Sequence, residues 1–189
     1  MTWLTEKFLK LMGWEFTGSV PDLPRLIIIG APHTTNWDFI VYLGALRHYR
    51  IRASFIGKHT LFRWPLGYFF RKWGGIPVDR SVPSGLVEQV VDAIEKSKKM
   101  ILVMAPEGTR RAAPFWKSGF LNIAARAGAP ILLAYIDFPN KRAGMGPLIE
   151  FDGDVSGFMD RCREFYADKR GLHDEKKGPV MTREELEAS

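Results

Sequence analysis

Apolar runs of four to eight residues alternate along the chain with segments whose apolar positions recur every three or four residues, the pattern of buried strands and amphipathic helices. Residues 2 to 12 place Leu4, Phe8, Leu11 and Met12 at helical spacing with Lys7 and Lys10 elsewhere, and Gly13 ends the run. Two placements of that helix are open, packed on the domain or laid in a lipid interface. After the Pro21 to Pro24 turn, Leu26 to Ile29 reads as a strand, followed by a helix from about Asn36 to His48 with Phe39, Ile40, Leu43 and Leu46 apolar. Residues 53 to 57 make a second strand. Pro65 and Gly67 break Lys58 to Trp73 into two short helical pieces, and Ile76 to Val78 is a brief strand after the Gly74-Gly75 turn.

The clearest helix covers residues 83 to 98, with Leu86, Val90 and Ile94, joined by Val87 and Val91, opposite Glu88, Asp92, Glu95 and Lys96. Met100 to Ala105 is a buried strand, Lys117 to Ala127 a helix closed by Gly128, and Ile131 to Phe138 another buried strand. Pro147 to Phe151 reads as one more strand and residues 155 to 169 as a helix. The last twenty residues are charge-rich and poor in large apolar groups, so they are expected to be exposed or frayed. Strands alternating with helices predict a single α/β domain with a mostly parallel central sheet flanked by helices. The expected division is an amphipathic lead-in over 1–24, the main domain over 25–170 and a charged tail over 171–189.

At 189 residues the chain is large enough to bury roughly 70% of its unfolded surface without staples. Its one cysteine, Cys162, excludes an internal disulfide, suits a reducing compartment and is read as an inert helix residue. Glu6 and Lys7 interrupt the start where a signal peptide would be apolar, and the longest apolar runs fall far short of the ~20 residues that span a bilayer. The chain is expected not to cross a membrane.

A net charge of +6 favours an anionic partner. The charge is concentrated: Arg50, Arg52, Lys58, Arg63, Arg71, Lys72 and Arg80 face a single acid, Asp79, between residues 50 and 80. Phe55, Phe62, Trp64, Tyr68, Phe69, Phe70 and Trp73 lie in the same stretch. Nucleic-acid binding, a membrane interface and core packing all use such residues, and periodicity does not separate them.

Three short constellations carry candidate chemistry. His33-Thr-Thr-Asn-Trp-Asp38 follows the Leu26 to Pro32 apolar run. With Thr35 as N-cap, Asp38 falls in the first helical turn and can fold back onto His33, fixing the tautomer and freeing the other ring nitrogen to act as a base. The same residues also fit a capping box in which Asp38 only satisfies backbone amides. Glu107-Gly-Thr-Arg110 ends the Met100 to Ala105 strand; glycine permits a tight turn and arginine can fork onto a phosphate, although a surface turn with a Glu-Arg pair looks the same. Gly74-Gly-Ile-Pro-Val-Asp-Arg80 offers Arg80 as a second phosphate ligand or as half of a structural ion pair with Asp79. There is no Gly-x-Ser-x-Gly elbow, no Walker loop and no short zinc spacing among His33, His48, His59 and His173. A metal hydrolase built on His33 and Asp38 is a remaining alternative.

Taken in order, His33-x4-Asp38, Gly75-Ile-Pro-Val-Asp-Arg80, Glu107-Gly-Thr-Arg110 and Ala129-Pro-Ile131 before an apolar strand resemble the glycerolipid acyltransferases typified by 1-acylglycerol-3-phosphate acyltransferases. The resemblance covers roughly residues 25 to 137. It implies the glycerol-3-phosphate-acyltransferase-like fold and an acyl transfer from acyl-CoA or acyl-carrier protein to the hydroxyl of a lysophospholipid such as 1-acylglycerol-3-phosphate, without a cofactor or an acyl-enzyme. It implies His33 as general base, Asp38 as its orienting acid, and acceptor binding by Glu107, Gly108, Thr109 and Arg110 with Arg80 assisting. Pro130 would match the fourth motif, linked to acyl or substrate packing. The basic aromatic segment from Lys58 to Trp73 would meet anionic lipid and the phosphates of coenzyme A, Lys58 among the substrate-binding residues. The expected setting is cytoplasmic, peripheral at the inner face of the cell membrane, with no nucleic-acid partner. The chain departs from many relatives in having only the 2 to 12 helix before the first motif, and its loop is bulkier than an Asn-His-x-Ser form. A non-catalytic peripheral lipid-binding module is the alternative.

Overall fold

A computed structural model describes residues 2–78 and 83–188. Seven strands, β1 (Glu15–Thr17), β2 (Arg25–Ala31), β3 (Ser54–Lys58), β4 (Gly75–Val78), β5 (Met100–Met104), β6 (Ile131–Asp137) and β7 (Arg142–Ile149), form one sheet in the order β1-β7-β6-β2-β5-β3-β4. Strands β2 to β6 run parallel; β7 turns back antiparallel to β6, and β1 pairs parallel with β7 at the edge. β2 sits at the centre between β5 and β6, which is why its Leu-Ile-Ile-Ile run is buried on both faces.

Alternation along β2 separates two helical layers. Ile27, Ile29 and Ala31 join the main core with α4 (Pro83–Glu95), α5 (Gly119–Ala127) and α6 (Val155–Tyr166). Leu26 and Ile28 face the opposite way, toward Leu46 of α2 (Trp37–His48). On that second face α1 (Thr2–Leu11) packs on α2 through Leu9, which is buried against Gly44. α3 (Leu66–Lys72) reaches α2 from the other side through rings: Phe39 lies 6.2 Å from Phe55 and 6.3 Å from Trp73, and Phe55 lies 6.3 Å from Phe70.

The anticipated strands and helices between residues 25 and 138 are present, with ends shifted by a few residues, and four features differ from the sequence reading. α1 packs on the domain, but Leu4, Phe8, Leu11 and Met12 point outward while Leu9 points in. Edge strand β1, three residues long, is too short to leave a pattern. β7 begins at Arg142 rather than Pro147, because the turn from Phe138, with Lys141 at φ +49°, sends the chain straight back along β6; glycines at 144 and 146 mask the alternation. Gly144 is required there, since a Cβ would come 2.8 Å from the Tyr135 ring and 2.9 Å from the Thr17 carbonyl.

The fourth difference is the carboxyl-terminal stretch, which is docked rather than frayed. Thr182 is fully buried, the Trp116 amide donates to the Met181 carbonyl at 2.7 Å, and Arg163 binds the Glu185 carboxylate at 3.1 Å. Thr182 and Glu185 form a reciprocal capping box at the start of α7 (Arg183–Ala188), with Thr182 N donating to Glu185 Oε2 at 2.9 Å and Glu185 N to Thr182 Oγ1 at 3.3 Å.

Tyr166, at the end of α6, ties these layers to the sheet. Its buried hydroxyl lies 2.9 Å from both the Ile29 and the Ala134 carbonyls, bridging β2 and β6 just before the strands end. Tyr166→Phe therefore removes the one buried hydroxyl proton that these two carbonyls share and is expected to lower stability by about 1–2 kcal/mol, read as a shift in urea midpoint at unchanged slope.

Candidate active site

β2 and β5 are neighbours in register, Ile29 opposite Met104, so the loops that leave their carboxyl ends meet. His33 follows one strand and Glu107 the other, and the His33 amide donates to Glu107 Oε1 at 3.0 Å. In open parallel sheets this edge is where ligands collect.

The helix start then shapes the histidine loop. Asp38 lies in the first turn of α2 and its Oδ2 accepts three hydrogen bonds, from His33 Nδ1 at 2.8 Å, Thr34 N at 2.9 Å and Thr35 N at 3.0 Å. Asn36, not Thr35, occupies the N-cap position; Thr35 Oγ1 instead accepts from Trp37 N at 3.3 Å. One carboxylate oxygen thus both braces the backbone of the loop ahead of the helix and orients the ring. The Asp38 side chain is 4% exposed and that of His33 31% exposed, so a buried acid aims a partly open imidazole. With Nδ1 engaged by the carboxylate, Nε2 is the nitrogen available to a reactant.

Glu107 is buried, and that burial pushes its carboxyl above the ordinary range against the opposing pull of its own and the His33 amides and of the His33 ring; the neighbouring Asp38 pushes the same way as burial. Gly108 takes φ +66°, a conformation that favours glycine, and a Cβ there would also press on Lys117 Cε at 3.0 Å. Thr109 Oγ1 accepts from Arg111 N at 3.2 Å, closing the turn. Arg110 then reaches back over the first loop, its guanidinium donating to Asn36 Oδ1. The Glu107 to Arg110 turn therefore touches the histidine loop at both ends.

Other anticipated residues are arranged differently. Lys58 ends β3 and is exposed at the same sheet edge, beyond β5 from β2. Asp79 and Arg80 lie outside the described residues. Pro130 is at the opposite edge: its carbonyl accepts from Ile27 N where β6 begins, about 16 Å of strand from the loop that holds His33. Pro130 starts a strand and does not line the site. Cys162 is buried on α6, its thiol pushed up to about 12 by burial, as an inert residue should be.

Sequence reasoning missed the support beneath the loops. Ala31, Pro32, Glu107, Trp116, Tyr166 and Lys177 close around a crevice too tight for a water molecule. The chain after α6 straps the histidine loop from outside: Gly171 packs on Thr34, and His173 N donates to Thr34 Oγ1 at 3.3 Å. Lys177 Nζ fastens that strap to the carbonyls of Tyr166 at 2.9 Å and Lys169 at 2.7 Å. The Thr182-x-x-Glu185 capping box was a usable signal that this region is structured; nothing local marks Lys177.

A family model described as Acyltransferase matches residues 15–136, which include both loops. Over 118 residues the chain is 30% identical to a 1-acyl-sn-glycerol-3-phosphate acyltransferase of Streptococcus pneumoniae, covering 61% of this chain and 43% of that protein's length. With the family match spanning more than half of the chain and both strand-end loops, the protein belongs to the acyltransferase family.

Proposed function

We propose that the protein is an O-acyltransferase moving a fatty acyl chain from the thioester of acyl-CoA or acyl-carrier protein to the hydroxyl of a lysophospholipid such as 1-acylglycerol-3-phosphate. The observation that carries this reading is the 2.8 Å contact between His33 Nδ1 and the buried Asp38 carboxylate, beside an arginine-bearing turn. His33 Nε2 takes the acceptor's hydroxyl proton as its oxygen attacks the thioester carbonyl. The tetrahedral intermediate collapses, the C–S bond breaks, and the imidazolium returns its proton to the departing sulfur. Asp38 stabilises the charged imidazole throughout. The inert Cys162 supports direct transfer over a cysteine-bound acyl intermediate.

Arg110 binds the acceptor's phosphate in this scheme, with Arg80 assisting, while Gly108 and Thr109 shape the turn that presents it. Glu107 holds the amide of the base's own residue, so it positions the loop rather than exchanging protons. Lys58, on the same edge, is suited to the donor's phosphates. A lipid acceptor implies work at a membrane surface, on the cytoplasmic side. No helix among the described residues is long and apolar enough to cross one.

With a lysophosphatidate acceptor and a long-chain acyl-CoA, His33→Ala is expected to lower kcat by about 10²–10⁴-fold, and Asp38→Asn by a comparable factor because the tautomer is no longer fixed; equal thiol release by His33→Ala and wild type would sink the mechanism. Arg110→Ala should raise KM for a phosphate-bearing acceptor at least tenfold while leaving acceptors without a phosphate monoester unchanged, measured by steady-state kinetics on both.

Glu107→Gln keeps an oxygen for the His33 amide but removes the titrating carboxyl. Its folded pKa lies above the unfolded one, so the stability tied to the protonated carboxyl is complete below the unfolded value and is lost as pH rises through the folded value. Wild type should therefore lose stability relative to Glu107→Gln as pH rises above 4.5, the ordinary carboxyl value, seen as urea midpoints that diverge with rising pH.

A further inference from the structure

Most of the large hydrophobic side chains exposed on this protein come from two short segments. Of thirteen such residues among those described, α1 with Met12 supplies five and the stretch from Trp64 to Phe69 supplies four, Trp64 standing 91% exposed. The rest of the aromatic cluster is already satisfied: Phe62 is buried over Gly57 and Gly75, while Phe55, Phe70 and Trp73 pack on one another. Core packing thus accounts for the inner rings and leaves the outer ones without an occupant.

The two segments are placed together by the fold. α1 and α3 flank α2 on one face of the sheet, and α2 begins at the dyad. α1 runs antiparallel to α2, since Glu6 reaches His48 at 3.5 Å while Leu9 meets Gly44. Its exposed end at Leu11 and Met12 therefore points toward the edge that holds His33. The Trp64 turn follows Lys58, at the carboxyl end of β3, on that same edge.

Charge selects the occupant. Residues 2 to 12 contain one acid, Glu6, paired with Lys10 at 2.9 Å, and residues 58 to 78 contain Lys58, Arg63, Arg71 and Lys72 with no acid. Basic residues among exposed Trp, Tyr and Phe suit an anionic headgroup layer. Single-stranded nucleic acid would use the aromatics and cations but gives no role to an aliphatic helix face of Leu4, Leu11 and Met12, which an acyl-chain boundary does.

We propose that the outer face of α1 and the Trp64–Phe69 turn are a two-point docking surface for an anionic bilayer, holding the His33 edge at headgroup depth. This rests on the lipid-acceptor reading above and adds which side chains of the two segments meet the lipid and that they act together beside the His33 edge. The test is sedimentation of the full chain with vesicles of phosphatidylcholine alone or with about one third phosphatidylglycerol. Wild type should bind the anionic vesicles, and weaken as salt rises from about 0.1 M to about 1 M and the screening length shrinks from ~10 to ~3 Å.

The triple variant L4S/F8S/L11S and the double variant W64S/Y68S should each bind at least tenfold more weakly. R63Q/K72Q should lose about fivefold per charge on anionic vesicles alone. L148S, which removes an exposed leucine on β7, should bind like wild type. Undiminished binding by both apolar variants, no vesicle binding by wild type, or a concentration-dependent dimer abolished by L4S/F8S/L11S in place of vesicle binding would each overturn the proposal. A dissolved short-chain lysolipid separates the two readings: L4S/F8S/L11S should turn it over at the wild-type rate and fail only on vesicle-borne acceptor. Vesicle binding by a wild type that turns over neither acceptor supports docking and sinks acyl transfer.

Discussion

One oxygen atom, Oδ2 of Asp38, organises the centre of this protein. It gathers the His33 ring and the amides of Thr34 and Thr35, so the start of α2 and the orientation of the imidazole are one event. Backbone donors at a helix start attract a carboxylate on their own account, and the helix dipole adds to that attraction. The imidazole joins an anchor that already fixes the backbone leading into the helix. A change in the loop that moved the helix start would therefore re-aim the ring, which ties catalytic geometry to an ordinary folding constraint.

The second carboxylate of the site behaves differently because its surroundings differ. Glu107 accepts from the His33 amide, sits against Trp116 and Tyr166, and is pushed toward its neutral form by burial and by Asp38. Two acids near one histidine are thus set to separate tasks, one facing the ring and the other holding the backbone. That division depends on sheet order. Seventy-four residues separate His33 from Glu107, and only the pairing of β2 with β5 brings them within a hydrogen bond.

The same topology explains what was legible in the sequence. The Leu-Ile-Ile-Ile run announces a strand buried on both faces, and chemistry at the carboxyl ends of such strands is a rule of the architecture, so His33 and Glu107 were visible as candidates. Pro130 shows the limit: it too borders a buried strand, but at the amino end, and a linear motif does not say which edge it occupies. The strap from Gly171 to Thr182 was hidden for another reason. Its contacts with Thr34, Trp116 and Tyr166 are made by backbone groups and by a lysine amine, which leave no hydrophobic period to read. α1 was found by its period, yet its true contact is Leu9 in the space left by Gly44; the broad apolar stripe is a different face.

Hydrophobic periodicity measures what can leave water and does not say into what. In the basic stretch, Phe62 and Phe70 answer one way, closing over the glycines of β3 and β4, and Trp64 and Tyr68 answer the other, left outside. The division follows from backbone space, because Gly57, Gly67 and Gly75 admit the Phe62 side chain and its carbonyl so closely that no Cβ would fit. Once Phe62 fills that site, the turn after it has no core left to enter, and its apolar groups remain beside Arg63, Arg71 and Lys72. A single packing event inside the domain thereby fixes which aromatic groups are presented outside it, on the edge where the histidine stands.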